Sequence, residues 1–172
     1  MKKIILIFTA LLLNGCLGMP TTVTPVSDFE LNRYLGSWYE IARLDHSFER
    51  GLSQVSAQYQ LKEDGGVQVI NRGFSAESNE WQEAEGKAYF VDAQNQGYLK
   101  VSFFGPFYGS YIVFELDKQD YQYAFVSGPN LDYLWLLART PVVEQEVIDK
   151  FMAMSRERGF DVENIILVEQ SE

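Results

Sequence analysis

The stretch Gly36-Ser37-Trp38-Tyr39-Glu40-Ile41-Ala42-Arg43 carries the strongest structural signal in this chain. Its glycine permits a tight entry, and its tryptophan is the largest apolar side chain available to close an interior. Much later, Tyr133-Leu134-Trp135-Leu136-Leu137-Ala138-Arg139 has the pattern of a strand that ends in an arginine. We predict that Trp38 and Arg139 contact each other and close one end, the floor, of a β-barrel. Gly36 lies where the chain turns into the first strand of this barrel. On this stretch alone, a core aromatic at the start of an ordinary strand is the simpler alternative.

Between these two stretches, short alternating runs are separated by turn residues, which is typical of an antiparallel barrel or sandwich. The runs cover residues 38–44, 55–61, 67–74, 83–91, 99–104, 111–116, 123–127 and 133–139. Eight strands joined in order predict an all-β fold, an up-and-down antiparallel barrel that has room for one small ligand. A sandwich of two sheets explains the pattern almost as well.

The pattern changes after the last of these strands. Thr140-Pro141 is suited to a helix start, and Gly159 to a helix end. Apolar residues recur between them at helical spacing, at Val143, Val147, Phe151 and Met154. We therefore predict one C-terminal α-helix, followed by a final edge strand over residues 160–168.

The first residues are a targeting signal rather than part of the fold. A basic start and a short apolar run lead to Leu13-Asn14-Gly15-Cys16, which resembles a bacterial lipobox. We predict a lipoprotein signal peptide over residues 1–15, a lipidated Cys16 with a tether over residues 16–28, and one domain over residues 29–172. An uncleaved anchor or an ordinary signal peptide is the alternative. Cys16 is the only cysteine, so the mature domain has no internal disulfide.

The charge balance is strongly acidic. The 172-residue chain has 14 basic and 24 acidic residues and a net charge of −10. Cleavage before Cys16 removes Lys2 and Lys3 and takes the net charge to −12. This balance argues against nucleic acid and anionic lipid surfaces as electrostatic partners, so membrane attachment is expected through the lipid on Cys16.

In an up-and-down barrel, the loops after strands one, three, five and seven meet at the end opposite Trp38. These loops cover residues 45–54, 75–82, 105–109 and 128–132. The third follows an unusually aromatic stretch, Phe103-Phe104-Gly105-Pro106-Phe107-Tyr108. Its rings either fold over the barrel mouth as packing or form an apolar lip that meets acyl chains or a membrane.

Strand alternation also predicts which side chains face the interior. Counting from Trp38, Glu40 and Ala42 point inward and Arg43 points outward. The same alternation places Val55, Ala57, Tyr59, Ala84, Gly86, Ala88, Phe90, Leu99, Val101, Phe103, Tyr111 and Trp135 along the cavity. Strand four contributes mostly small side chains, which we expect to leave volume for a ligand. The Glu40 carboxylate either pairs with Arg139 or tyrosines near the floor, or meets a ligand head group.

Several long stretches together resemble the bacterial outer-membrane lipocalins of the Blc type, and are similar to apolipoprotein D and plant temperature-induced lipocalins. They are the lipobox at Cys16, residues 36–43, 48–52, 85–90 and 101–109, and Asp132-Tyr133-Leu134-Trp135. The family's Thr-Asp-Tyr motif is only partly kept, at Asp120-Tyr121. The resemblance implies one hydrophobic ligand in the barrel, a fatty acid or lysophospholipid, and a role in lipid transport, storage or envelope maintenance. It also implies a lipid-anchored domain on the outer membrane facing the periplasm, sorted there by Leu17, and often a homodimer.

Catalysis and metal binding have little support in the sequence. His46 is the only histidine, and we expect it to be a surface residue of the first mouth loop, although Asp45-His46 with Glu49 offers a possible proton relay. No zinc-ligand spacing, phosphate loop or nucleophile elbow occurs. We therefore expect no enzyme activity and no cofactor. A structural envelope lipoprotein with a filled barrel, and an enzyme on a lipocalin fold, stay open as alternatives.

Overall fold

A computed structural model describes residues 17–170. Its elements are α1 Leu31–Tyr34, β1 Gly36–Leu44, β2 Leu52–Leu61, β3 Val67–Ser75, β4 Glu80–Phe90, β5 Tyr98–Phe104, β6 Phe107–Leu116, β7 Tyr123–Ser127, β8 Leu134–Ala138, α2 Gln145–Glu157, a 3-10 helix Val162–Asn164 and β9 Ile165–Leu167. The predicted signal peptide and the lipidation of Cys16 lie outside the described residues.

The first eight strands form a closed barrel. Each pairs antiparallel with its neighbour in the chain, and β1 pairs with both β2 and β8, so the sheet closes on itself. This confirms the predicted up-and-down barrel and excludes the sandwich. The connections after β1, β3, β5 and β7 lie at one end, which we call the mouth. They are residues 45–51, 76–79, 105–106 and 128–133.

Strand β1 departs from strict alternation because its pairing with β8 is irregular between Glu40 and Ala42. A bulge adds one residue on one strand and reverses which side chains face inward beyond it. Arg43 consequently joins Glu40 inside, only 2% exposed, whereas Ala42 packs in an apolar cluster outside the barrel. The predictions that Ala42 points inward and Arg43 outward are therefore wrong.

The C-terminal segment completes the barrel wall. Strand β1 pairs with β2 only from Gly36 to Tyr39, and beyond the bulge it pairs with β9 instead. Gln170 then donates from Nε2 to the carbonyl oxygens of Glu40, at 2.7 Å, and Val55, at 2.9 Å. The structure thus confirms a final strand, but this strand has three residues and is shorter than the predicted range 160–168.

A second apolar cluster lies outside the barrel under α2. Phe151 is fully buried, and its ring lies 5.1 Å from that of Phe125 on β7. The helix starts at Gln145, later than predicted, because Thr140 turns the chain by donating to the carbonyl of Val142. No helix within residues 17–170 is long and apolar enough to cross a membrane.

Residues 17–28 are packed against the barrel rather than extending from it as the predicted tether. Val23 is 3% exposed, and the amide of Val26 donates to the carbonyl of Val113 on β6. The prolines and threonines of this segment had suggested a linker. Its two valines nevertheless give it an apolar side, which the outer face of the barrel buries.

Candidate functional site

The closed end of the barrel is sealed by the predicted pair. The guanidinium carbon of Arg139 lies 3.9 Å from the ring centroid of Trp38, which is fully buried. Arg139 also donates to the carbonyl oxygens of Ser37 at 2.8 Å, Arg33 at 2.7 Å and Leu35 at 3.0 Å. Gly36 turns into β1 with φ of +95°, a conformation that favours glycine. The predicted contact between Trp38 and Arg139 is confirmed.

Above this seal, the barrel holds two connected chambers. The inner chamber has a volume of about 110 Å³, and the outer chamber, which opens at the mouth, has about 510 Å³. They share lining residues, among them Glu49, Val101, Phe103 and Trp135. The outer volume falls within the range of small-molecule sites, about 300–1,000 Å³.

Three tyrosine hydroxyls meet in the inner chamber. The hydroxyl of Tyr111 lies 2.7 Å from that of Tyr34 and 2.9 Å from that of Tyr59. Burial raises the pKa of all three phenols, so these groups stay neutral at physiological pH. Leu31 and Tyr34 belong to α1, which covers the closed end together with Phe29.

The structure places eleven of the fourteen predicted lining residues on a chamber wall. They are Glu40, Val55, Ala57, Tyr59, Ala84, Ala88, Leu99, Val101, Phe103, Tyr111 and Trp135. Ala42 is absent because of the bulge, and Phe90 packs edge-on against Phe29, with ring centroids 6.1 Å apart. At Gly86, a Cβ atom would lie 2.8 Å from the ring of Phe103. The space beside this glycine is therefore filled by Phe103 rather than left for a ligand.

Several residues of the chamber walls were not among the predicted ones. Val67, Val69 and Asn71 on β3 face the inner chamber. Their spacing of two along one strand was a usable signal. Phe48 and Glu49 also line the cavity, although they belong to a mouth loop whose path the sequence pattern did not indicate.

A buried network of charged side chains lies beside the two chambers. Arg43 donates to Oε1 of Glu40 at 2.7 Å and to the backbone oxygen of Glu49 at 2.9 Å. The indole of Trp135 donates to Oε2 of Glu49 at 3.1 Å. Nε2 of His46 lies 3.0 Å from the same oxygen, although off the line of an N–H bond. His46 is 5% exposed, so the expectation of a surface histidine is wrong.

The pKa values of the two carboxyls in this network are shifted in opposite directions. Burial raises the pKa of Glu40, the charge of nearby Glu49 raises it further, and Arg43 only partly offsets them. Burial acts on Glu49 in the same sense, but His46 and the Trp135 N–H together bring its pKa below the ordinary value. Glu40 therefore holds a proton more readily than Glu49. Its partner is Arg43, and not Arg139 as one of the two hypotheses had it.

The mouth is strongly aromatic. The ring of Phe48 stacks on His46 with centroids 3.9 Å apart, and Tyr133 and Trp135 stack beside them. In the third mouth loop, the side chains flanking Gly105 and Pro106 point outward: Phe104 is 81% exposed and Phe107 is 74% exposed. These two rings are exposed rather than packed over the opening, so they form an apolar lip. Its contact with acyl chains or a membrane stays a prediction.

This arrangement suits the reversible binding of an apolar molecule. Both chambers are walled mainly by apolar side chains, with few polar atoms between them. Across residues 17–170, no cluster of histidine, cysteine and acidic side chains has the geometry to hold a metal ion.

Comparison with known proteins gives a consistent result. The chain is 68% identical over 170 residues to the outer membrane lipoprotein Blc of Vibrio cholerae, covering 99% of both chains. It is 32% identical to temperature-induced lipocalin-1 of Arabidopsis thaliana, covering 86% of this chain and 82% of that protein. Insecticyanin of the tobacco hornworm Manduca sexta has the same fold, with a TM-score of 0.70 at 24% identity over 90% of this chain and 88% of that one. The family model described as a lipocalin-like domain matches residues 29–170, and the chain belongs to the lipocalin family.

Proposed function

We propose that this protein binds one single-chain lipid, a fatty acid or a lysophospholipid, with the acyl chain inside the barrel and the head group near the mouth. The observation that supports this is one continuous cavity, sealed by Trp38 and open at an aromatic rim. Each methylene moved from water into such a wall contributes about 0.8 kcal/mol before ordering and association costs are subtracted.

Polar atoms between the chambers favour a lipid that carries hydrogen-bonding groups next to its chain. Oδ1 of Asn71 and the hydroxyl of Ser110 have no partner among the described residues, and both residues line both chambers. The hydroxyl of Ser102, at the outer chamber, is in the same state. All three atoms are shielded from solvent in this structure, and we propose that the ester and hydroxyl of a lysophospholipid glycerol reach them when the chambers fill. A fatty carboxylate would lie close to the ionised Glu49, so we expect zwitterionic lysophospholipids to bind more tightly than fatty acids.

The relatives named outer membrane lipoprotein Blc support the same location for this chain. We propose that Cys16 is lipidated and holds the domain on the outer membrane, facing the periplasm. There the protein would carry or store single-chain lipids for envelope maintenance. A structural lipoprotein without an exchangeable ligand is the second candidate, since the inner chamber is small.

The test is a binding titration on the soluble Cys16→Ala chain. A fluorescent fatty acid is bound first and is then displaced by lysophosphatidylethanolamine. Ala88→Trp fills the inner chamber and should weaken binding at least tenfold. The matched control, Lys87→Trp, places the same side chain on the exposed face of β4 and should leave binding unchanged.

Unchanged affinity in a folded Ala88→Trp protein contradicts the inner site. Failure of the wild-type domain to bind either lipid contradicts lipid carriage and favours the structural lipoprotein.

A further inference from the structure

We infer that the anchored protein stands on the bilayer with its mouth against the membrane, so that lipid passes between membrane and barrel without crossing water. This inference rests on the lipid anchor proposed above. It adds an orientation and a docking surface, and its occupant is the bilayer that receives the Cys16 lipid.

The first observation is where the ordered chain begins. The N-terminal segment, residues 17–28, is fixed to the outside of the barrel by the Val26 amide bond to Val113, by the buried Val23 and by the Thr22 hydroxyl, which donates to the carbonyl of Arg158 at 2.7 Å. The hydroxyl of Tyr98 then donates to the carbonyl of Leu17 at 3.2 Å. The segment is therefore held to the barrel up to its first described residue.

The second observation is that this segment reaches the mouth. The backbone of Gly18 passes so close to Pro129 that a Cβ atom would lie 2.8 Å from the Pro129 carbonyl oxygen. Pro129 belongs to the mouth loop 128–133 and lines the outer chamber. Cys16 is two residues from Gly18, at most about 8 Å along the chain at 3.8 Å per residue. A lipid on Cys16 therefore draws this side of the mouth to the membrane surface.

The third observation is the contrast between the two ends of the barrel. Four exposed large apolar side chains lie in the mouth loops or directly beside them: Phe104 at 81%, Phe107 at 74%, Phe48 at 57% and Leu131 at 37%. No residue from 101 to 114 is charged. At the closed end, the hairpin 62–66 reads Lys-Glu-Asp-Gly-Gly and the turn 117–120 reads Asp-Lys-Gln-Asp. At the closed end the exposed large apolar side chains Leu61, at 55%, and Val142, at 68%, come from separate segments, and Leu61 adjoins this charged hairpin. The mouth therefore offers the more continuous apolar surface to a bilayer interface.

Electrostatics does not supply an alternative orientation. The whole chain has a net charge of −10, so we expect no strong net attraction to anionic lipids. In the first mouth loop, Asp45 is neutralised locally by Arg50, with Oδ2 and Nη2 2.7 Å apart. The short anchor and the aromatic lip therefore act at the same end of the barrel and determine the same orientation.

The test uses the full lipidated chain in vesicles of phosphatidylethanolamine and phosphatidylglycerol. Phe107→Cys at the mouth and Leu61→Cys at the closed end each replace an exposed apolar side chain, 74% and 55% exposed. Each new thiol carries the same fluorophore, while Cys16 is blocked by its lipid. We expect nitroxide lipids to quench the fluorophore at position 107 several-fold more than at position 61. Equal quenching, or stronger quenching at position 61, overturns the inference.

A linker variant tests the contribution of the short anchor. Twenty glycine and serine residues inserted between Gly18 and Met19 add a flexible reach of roughly 25 Å. Quenching at position 107 should then fall toward that at position 61, and undiminished quenching contradicts an orientation imposed by the anchor. Sedimentation of the full chain with vesicles and lipid binding by the soluble chain are measured separately. A protein that sediments and binds lipid but fails the quenching test contradicts the orientation alone; one that does not sediment contradicts the anchor as well.

Discussion

Glu40 is a carboxyl in the barrel wall whose ionisation is opposed by its surroundings. It is 3% exposed, and its single guanidinium partner, Arg43, is shared with the backbone oxygens of Glu49 and Leu52. Two carboxylates facing one guanidinium would leave a net negative charge in a medium that solvates it poorly. Retention of a proton by Glu40 removes that charge.

Glu40→Gln should therefore change how stability depends on pH. Because its pKa is raised in the folded state, Glu40 keeps its proton above pH 4.5, where the unfolded chain loses it, and the free energy of unfolding falls as pH rises through this window. The amide cannot titrate, so the variant should gain stability relative to wild type as pH rises above 4.5. Urea unfolding of the soluble Cys16→Ala chain between about pH 4 and 8 measures this.

Glu63→Gln, on an exposed hairpin, is the control and should follow wild type. Parallel stability curves for Glu40→Gln and wild type would contradict the raised pKa. The depressed pKa of Glu49 acts in the opposite sense, because its contribution is lost as pH falls through that lowered value.

The pair at the closed end permits a double-mutant test. Trp38→Ala removes a fully buried indole and its 2.7 Å bond to the Tyr34 carbonyl, and should cost about 3–5 kcal/mol. Arg139→Ala should cost less because its guanidinium is partly exposed. The double variant should lose about 0.5–2 kcal/mol less than the sum, which is the shared cation–π contact. Strict additivity in denaturant unfolding would show that this contact contributes nothing.

Among the elements, β1 depends most on its surroundings. It changes partner from β2 to β9 along its length, and the backbone of Gln54 donates to the carbonyl of Glu169 at 2.7 Å where β2 has moved away. The C-terminal segment therefore acts as a short extra length of wall between two strands that no longer pair. The side chain of Gln170 bridges both of them.

Gln170→Ala should destabilise the barrel at this seam. The substitution removes two hydrogen bonds and leaves the carbonyls of Glu40 and Val55 without that donor, at a cost of about 1–3 kcal/mol. Hydrogen exchange should accelerate at the amide of Gln54 before the rest of β2. Gln60→Ala, on an exposed position of β2, is the matched control. Equal stabilities of the two variants would show that the seam closes without Gln170.

For the whole molecule, membrane attachment and folding should be separable. Cys16→Ala removes the proposed lipid and leaves residues 17–170 with their contacts, so the domain should be folded and released into the periplasmic fraction. The aromatic lip alone is a single weak membrane signal, and durable attachment needs more than one. Variant protein that stays with outer membranes after a high-salt wash would contradict the anchor.

The lipocalin barrel and much of its cavity were predictable because strand alternation and chain order are local properties of a sequence. An even number of meander strands brings the start of β1 and the end of β8 to one end, which is why the contact of Trp38 with Arg139 was foreseen. Alternation likewise located Val55, Ala57 and Tyr59 on the wall.

Only the tertiary structure decided the features that depend on a distant partner. The bulge that turns Arg43 inward arises where β1 pairs with β8, and the pattern of polar and apolar residues along β1 does not indicate it. The small side chains of β4 predicted free space beside Gly86, but Phe103 from the next strand fills that space. The burial of His46 and the path of residues 17–28 to the mouth follow from packing against segments far away in the chain. Alternation indicates which side of a strand a residue occupies, and long-range packing decides what it meets there.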